Sequence, residues 1–310
     1  MTVIKVGSRK SPLAMWQTYY VQDQLEAHGL TVELTTMETI GDKVLDTSIA
    51  KIGSKGVFTE ELEQQLADGS IDIAVHSAKD MPSILPDIFE LVAFTDREQS
   101  NDVLLSENKN LHIDDTNTPI TIGTSSVRRR ALLNRLYPHV KTVDIRGNLQ
   151  TRVAKMQDGL CDGILLAFAG VHRMNMEEMI VKHFDKKEFV PPVGQGCIAI
   201  ESATTLSDEK RRLIRECLNN PESETCLLAE RGFLRTMEGG CSIPAFAMAT
   251  LSGDEISLTG GLVSLDGQTI IKDTVIGDRA NAEKLGEMLG LATLNNGGKE
   301  LLAEIRSQQD

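Results

Sequence analysis

The sequence predicts an α/β protein of two similar modules followed by a smaller α+β unit. Strand-like and helical segments alternate through the first two thirds of the chain, which predicts largely parallel sheets. Two stretches, 3–14 and 120–133, repeat the order strand, turn, helix start, so we expect two modules built alike. Beyond about Asn219, a helix, a turn, strands near 246–276 and a last helix predict the α+β unit.

Local signals define the first elements of each module. The first strand is expected at Val3–Val6, and the helix after it begins at Ser11 and Pro12, since serine favours the N-cap and proline the first helical position. That helix is predicted to run to about Gly29. The second module repeats the pattern with a strand at 120–123, the segment 124–126 and a helix from Val127.

Two further apolar segments, 71–75 and 163–167, are predicted to be short buried strands. The polar stretch 96–102 and the proline- and glycine-rich stretch 190–196 are predicted to be crossings between domains.

Composition limits the class of partner. The chain has 310 residues, which predicts two or three domains, and a net charge of −13, which argues against general affinity for nucleic acid or anionic membrane. No signal peptide or bilayer-length apolar run is apparent. The five cysteines never approach CxxC spacing, so we expect no disulfide framework and no metal site, and a reducing cytoplasm fits best.

Positive charge is concentrated in residues 120–155, which hold eight lysines and arginines against one aspartate. Arg128–Arg130 fall in the predicted first turn of a helix, where the macrodipole disfavours each cation by about 0.3–1 kcal/mol. Backbone N–H groups of that turn, the hydroxyls of Thr124–Ser126 and the guanidinium groups together suit carboxylates or phosphates. Arg9 and Ser11 repeat this arrangement at the first helix. The alternative is a solvated charged face.

Other basic residues extend the pattern. Arg146 and Arg152 flank a turn, and Lys51 and Lys55 lie in a glycine-containing loop. Walker A spacing is absent, so a nucleotide phosphate is not indicated. The predicted ligand is a compact molecule with several negative charges.

Asp80 follows the predicted strand 71–75, together with His76, Ser77 and Lys79. Open α/β sheets bind ligands at the carboxyl ends of their strands. A carboxylate there can accept hydrogen bonds from a ligand N–H and stabilise a developing positive charge. A turn or N-cap role for Asp80 is the alternative that stays open.

Cys241 stands after two glycines and three residues before a proline, which places its thiol in a turn. That position suits a covalent anchor. A small apolar filler beside a structural turn is the competing interpretation.

Seven short motifs occur in a specific order. They are Arg-Lys-Ser-Pro-Leu-Ala at 9–14, Lys-Gly-Val-Phe at 55–58, Ala-Val-His-Ser-Ala-Lys-Asp-Met-Pro at 74–82, Gly-Thr-Ser-Ser-Val-Arg-Arg at 123–129, Arg-Gly-Asn at 146–148, Val-Gly-Gln-Gly at 193–196 and Gly-Gly-Cys at 239–241. In this order and spacing they resemble the porphobilinogen deaminase family over nearly the whole chain.

The resemblance implies a transferase of tetrapyrrole and heme biosynthesis. Such an enzyme joins four porphobilinogen molecules head to tail, releases ammonia at each addition and frees hydroxymethylbilane by hydrolysis. It carries a dipyrromethane primer bound as a thioether to the cysteine that matches Cys241. The family also implies a monomer.

The implied fold has two periplasmic-binding-protein-like α/β domains around a cleft and a smaller α+β C-terminal domain with the cofactor cysteine. The domains correspond to residues 1–97 with 198–217, to 101–192 and to 220–310.

The resemblance also assigns site residues. Asp80 matches the catalytic carboxylate, which stabilises the cation left when ammonia departs. Each pyrrole unit carries two carboxylates, which planar arginine forks can bind bidentately. Residues implied to bind the cofactor are Cys241, Lys79, Asp80, Ser77, Thr124, Ser125, Ser126, Arg128, Arg129, Arg146 and Gly147. Residues implied to bind substrate are Arg9, Ser11, Lys51, Lys55, Phe58, Arg152, Arg173 and Gln195.

Two positions depart from the family pattern: Leu132, where many relatives carry Gln, and Cys197, where Ala is common. We expect Cys197 to pack in the core, and Arg130 receives no role.

Two other classes of function compete with this interpretation. A non-enzymatic two-lobed small-anion-binding protein would also use similar α/β lobes, and a nucleic-acid binder would use Arg128–Arg130. An added dipyrrole on the Cys241 peptide separates the enzyme from both, since each rival predicts an unmodified thiol.

Overall fold

The computed structural model describes residues 2–38, 59–238 and 243–308. The chain forms two compact units. The first unit comprises Met1–Glu98 and Gly196–Glu224, and the second comprises Gln99–Gln195 and Thr225–Asp310.

Thirteen strands occur within the described ranges. They are β1 (Val3–Arg9), β2 (Thr31–Met37), β3 (Ile73–Ser77), β4 (Phe89–Phe94), β5 (Asp102–Leu105), β6 (Thr121–Gly123), β7 (Lys141–Val143), β8 (Gly163–Ala167), β9 (Ile180–His183), β10 (Ile198–Ala203), β11 (Ala245–Ser252), β12 (Glu255–Val263) and β13 (Ile270–Asp278).

The α-helices of the same ranges alternate with these strands. They are α1 (Pro12–Ala27), α2 (Glu60–Ala67), α3 (Val127–Leu136), α4 (Leu149–Gln157), α5 (Phe168–Arg173), α6 (Asp208–Leu218), α7 (Pro221–Thr236), α8 (Ala282–Thr293) and α9 (Lys299–Ser307).

The two larger sheets have the same topology. The first has the order β2-β1-β3-β10-β4 and the second the order β7-β6-β8-β5-β9. In each, the first three strands are parallel and the fourth runs antiparallel to both of its neighbours. The prediction of two similar modules is therefore confirmed.

The prediction of largely parallel sheets is wrong for half of these strand pairings. In each sheet the antiparallel fourth strand comes from the chain just after it changes unit: β10 follows Gly196 and β5 follows Gln99. All six residues of β10 are buried, so its apolar pattern carries no information about strand direction.

The predicted elements lie close to the observed ones. The helix expected from Ser11 to Gly29 spans Pro12–Ala27, and the strand expected at 163–167 is β8. The strand expected at 71–75 is β3, two residues later, because the Asp72 carboxylate accepts the Lys5 N–H at 2.8 Å before the ladder begins.

Apolar packing joins the second sheet to the antiparallel sheet β11-β12-β13 within the second unit. Phe246 and Val263 of the antiparallel sheet pack in one core with Leu132 of α3, and all three are fully buried. Leu132 thus serves as a core residue. Cys197, in the first unit, is 1% exposed, which confirms its predicted place in the core.

Only glycine fits at position 196. Its φ is +94°, and a Cβ there would lie 2.4 Å from the carbonyl oxygen of Glu98. The turn that ends the 190–196 stretch therefore brings two backbone segments into direct contact.

None of the helices in the described ranges is both long enough and apolar enough to cross a membrane. The three-domain division implied by the resemblance stays a prediction.

Candidate active site

The first sheet brings three predicted site residues to one edge. Strands β1 and β3 are parallel, so Arg9 at the end of β1 and Ser77 at the end of β3 lie at the same edge. Ser11 follows as the N-cap of α1. This edge is the usual ligand position in such sheets.

A small cavity of about 70 Å³ lies at this edge. Asp80 reaches it from a 3-10 turn, Ala78–Asp80, that directly continues β3, and its side chain is exposed. The Gln17 amide of α1 donates to the Ser77 hydroxyl at 2.9 Å. Polar and charged residues that line the cavity are Arg9, Ser11, Gln17, Thr59, His76, Ser77 and Asp80.

A buried acid–base pair lies beside this cavity. Nε2 of His76 lies 3.1 Å from Oε2 of Glu201, and the two side chains are 5% and 0% exposed. The contact does not have hydrogen-bond geometry. Glu63 is nearby, and its pKa is raised mainly by burial and further by the Glu201 charge.

In the second sheet, β6, β7 and β8 are parallel and end at a common edge. Thr124, Ser125 and Ser126 connect β6 to α3, and the Ser126 side chain is the N-cap that accepts from the Arg129 N–H. The Ser125 hydroxyl donates to the Ile145 carbonyl at 2.9 Å and accepts the Ile145 N–H at 3.0 Å. These bonds join the segments that follow β6 and β7.

Arg146 and Gly147 follow β7 at this edge. Gly147 has φ +117°, and a Cβ there would lie 2.6 Å from the Thr151 side chain. Asn148 caps α4 by accepting the Thr151 N–H at 2.9 Å. Nε of Arg152 donates to the Gly147 carbonyl at 2.8 Å, which holds this arginine beside the turn.

Arg128 and Arg129 share one buried carboxylate, that of Asp102. Oδ2 of Asp102 accepts from Nη2 of Arg128 at 2.6 Å, and Oδ1 accepts from Nε and Nη2 of Arg129 at 3.0 and 2.7 Å. The Gln195 amide donates to Oδ1 at 3.1 Å. Burial alone would raise the pKa of Asp102, but the two guanidinium groups outweigh it and lower that pKa to about 2.

The cluster holds two guanidinium charges against one carboxylate, and all three residues are at most 6% exposed. Uncompensated buried charge costs several kcal/mol. The remaining positive charge therefore favours a further anion. Within the described ranges, Arg129 uses all three of its nitrogens, the third on the Leu165 carbonyl, whereas Arg128 uses only its two terminal nitrogens.

Two further arginines of the second unit differ in exposure. Arg130, to which the sequence assigned no role, pairs with Asp144, and both side chains are about half exposed. Arg173, at the end of α5, is 7% exposed.

Four predicted site residues, Lys51, Lys55, Phe58 and Cys241, lie outside the described residues.

Comparison with known proteins gives a consistent result. Residues 4–211 match the family model "Porphobilinogen deaminase, dipyromethane cofactor binding domain", and residues 224–295 match "Porphobilinogen deaminase, C-terminal domain". The porphobilinogen deaminase of Desulfosudis oleivorans is 63% identical to this chain over 99% of both sequences. The chain belongs to the porphobilinogen deaminase family.

A second relative, the porphobilinogen deaminase of Cytophaga hutchinsonii, is 50% identical over 98% of this chain and 97% of its own length. As a member of this family, the chain is a transferase of tetrapyrrole biosynthesis that uses a dipyrromethane cofactor. The competing interpretation as a non-enzymatic small-anion-binding protein is not favoured.

Solved structures that match part of this chain include the methionine-binding protein MetQ, with a TM-score of 0.44 and 14% identity over 72% of this chain and 92% of that chain. The VFT2 domain of Bordetella pertussis BvgS gives a TM-score of 0.42 with 14% identity, over 72% of this chain and 89% of that chain.

Asp102 and Glu201 are buried carboxylates beside predicted site residues, and neither was predicted from the sequence. Each is a carboxylate within a strand in which every residue is buried. A buried charge is rare unless it is paired, so an acid within an otherwise mostly apolar strand is the signal that points to such residues.

Replacing Asp102 with Asn is expected to destabilise the protein by about 3–5 kcal/mol, because it leaves two buried guanidinium groups without their counter-charge. Urea unfolding measures this loss. Asp158→Asn, at an exposed position in the same unit, is the matched control and should change stability by less than about 0.5 kcal/mol. Equal stability of the two variants would contradict the charge assignment.

The Asp102 carboxyl also predicts a pH dependence. Its pKa falls from 3.8 to about 2 on folding, so its contribution, about 2 kcal/mol, is complete above pH 4 and is lost as the pH falls towards 2. Between pH 5 and pH 3 the native protein should lose about 1 kcal/mol from this group. Asp102→Asn should lack that part of the slope, and parallel slopes would contradict the assignment.

Proposed function

We propose that the chain makes hydroxymethylbilane by adding porphobilinogen units to a dipyrromethane primer on Cys241, with Asp80 as the catalytic carboxylate. The observation that supports this most directly is the position of Asp80. It is exposed at the carboxyl end of a buried strand, in a cavity that Arg9 and Ser11 also line.

Loss of ammonia from porphobilinogen leaves a carbon with positive charge conjugated to the pyrrole N–H. A fixed carboxylate stabilises such a charge, and it can accept the N–H as a hydrogen bond. Asp80 supplies that carboxylate, and Lys79 beside it can contact the carboxylates of the cofactor. Ser77, held by Gln17, adds a hydroxyl at the same edge.

The residues of the second unit suit a molecule with several carboxylates. The helix start offers the hydroxyls of Thr124 and Ser126, and Ser125 supports it through its bonds to Ile145. Arg146 and Gly147 follow the neighbouring strand. The excess positive charge of the Arg128–Arg129–Asp102 cluster favours one more anion. When bound, dipyrromethane supplies the nucleophilic carbon to which the next pyrrole is joined.

Arg128 and Arg129 have different roles in this proposal. Nε of Arg128 is not used within the described ranges, so we assign Arg128 to a cofactor carboxylate. Arg129 directs all its nitrogens to Asp102 and the Leu165 carbonyl, so it acts on the ligand through its charge.

The substrate's acetate and propionate need further cationic partners. We assign them to Arg9, Arg152 and Arg173, with Ser11 as a hydroxyl donor and Lys51, Lys55 and Phe58 as additional contacts. Gln195 donates to the Ser100 carbonyl and to Asp102, so we propose that it supports the arginine pair.

We also propose a cytoplasmic monomer that binds neither nucleic acid nor membrane, with three domains as the family resemblance implies. The net charge of −13 and the lack of CxxC spacing support this assignment.

Incubation of the purified protein with porphobilinogen tests the function. We expect ammonia and hydroxymethylbilane to appear together, with four molecules of ammonia for each hydroxymethylbilane. Binding of porphobilinogen without release of ammonia would contradict the proposal and would favour a receptor.

A further inference from the structure

Glu230 is a fully buried carboxylate of the second unit that the proposed chemistry does not use. It lies on α7. Its Oε2 accepts the Gly194 N–H and its Oε1 accepts the Ala249 N–H, both at 2.8 Å.

These two bonds join three separate segments. Ala249 belongs to β11, an edge strand of the antiparallel sheet, and Gly194 has φ +74° in the turn that follows Pro192. Both partners are donors. Only a carboxylate, with two accepting oxygens, satisfies both, because an amide presents an NH₂ group to one of them.

The joined segments flank Cys241 along the chain. Helix α7 ends at Thr236 and β11 begins at Ala245, so Glu230 links the element that precedes this cysteine in the sequence to the one that follows it. Met237 and Ile243, the apolar residues next to those two ends, pack in one core and are 1% and 7% exposed.

The same network continues to the arginine pair. Gln195 follows Gly194 directly and donates to Asp102 at 3.1 Å, and Asp102 accepts from Arg128 and Arg129. Glu230, Gln195 and Asp102 are all 0% exposed. A continuous buried path of hydrogen bonds and one peptide link therefore runs from the elements that flank Cys241 to the guanidinium groups.

We propose that Glu230 is a positioning residue for the reaction: it fixes the two elements that precede and follow Cys241 in the chain relative to the Arg128–Arg129 pair. This inference rests on the proposed attachment of the primer to Cys241. A tethered chain reaches its cationic partners only if the tether point is fixed, and a misplacement of about 1 Å at a distance from the chemistry can lower a rate by about 100-fold.

Glu230→Gln tests the proposal, with Glu222→Gln as the matched control on the exposed start of the same helix. Intact mass measures the primer on each variant, and steady-state kinetics separates kcat from KM. We expect Glu230→Gln to carry primer and to lose about 10- to 100-fold in kcat, with KM changed less than about threefold. Glu222→Gln should match the wild type.

A folded Glu230→Gln protein with wild-type kcat would overturn the proposal, even if its unfolding temperature were lower. Loss of primer from a folded Glu230→Gln protein, with primer kept by the wild type and by Glu222→Gln, would also support it, because attachment needs the flanking elements in position. Lack of primer on the wild type would instead contradict the proposed function, so the two failures are distinguishable.

Ala249→Pro decides the question if Glu230→Gln does not fold. It keeps the carboxylate and removes one of the two donors, because the Ala249 N–H is bonded to Glu230. We expect a fall in kcat in the same direction, whereas an unchanged kcat would overturn the proposal.

Discussion

Replacing Cys241 with Ala is expected to give a folded protein that carries no dipyrromethane and converts no porphobilinogen above background. A thiolate adds readily to the electrophile formed when porphobilinogen loses ammonia, and the resulting thioether resists hydrolysis. Alanine offers no nucleophile, so no primer is attached and no chain grows. Intact mass and a turnover assay measure both effects.

Cys217→Ala is the matched control for the loss of a thiol. Cys217 is only partly buried, and burial raises the pKa of its thiol, so it is a weak nucleophile. This variant should keep the primer and full activity. A Cys241→Ala protein that still carries the dipyrrole would show that another residue holds it.

Asp80→Asn is expected to lower kcat by about 10²–10³-fold while stability changes little. The amide keeps the shape of the carboxylate but not its charge, so it cannot stabilise the cation left by ammonia. The exposed position of Asp80 means that few internal contacts are lost. Single-turnover measurement of ammonia release isolates this step from product release.

Asp87→Asn serves as the control, since Asp87 is also exposed in the first unit and does not line the cavity. Its kcat should equal that of the wild type. Normal ammonia release by Asp80→Asn would remove Asp80 from the mechanism.

Local sequence signals predicted much of the architecture. Ser11 and Pro12 mark the start of α1, and the Thr124–Ser126 segment precedes α3. Parallel pairing of β1 with β3 brings Arg9 to the same edge as Ser77, as the strand-end argument predicts. These features depend on neighbours within a few residues, which a single sequence displays directly.

The partners of the charged residues could not be predicted in this way. Arg128 lies 26 residues from Asp102, and Gln195 lies 93 residues from it. The sequence analysis placed Asp102 in a polar crossing, because its buried position depends on β5 joining a sheet between β8 and β9. The direction of β5 and β10 depends on the same long-range pairing, which hydrophobic periodicity does not encode.

Part of the positive charge at the start of α3 is compensated within the protein. Asp102 compensates one of the two charges of Arg128 and Arg129, and Asp144 compensates Arg130. The case for an anionic ligand thus rests on the excess of one positive charge in the Arg128–Arg129–Asp102 cluster, as far as the described residues show, rather than on three arginines.

Mass spectrometry of the intact protein during limited reaction with porphobilinogen tests the central claim most directly. The account predicts a primer on the resting protein and a ladder of equally spaced additions, all on the peptide that contains Cys241. Active protein with an unmodified Cys241 peptide, or without covalent intermediates, would contradict it.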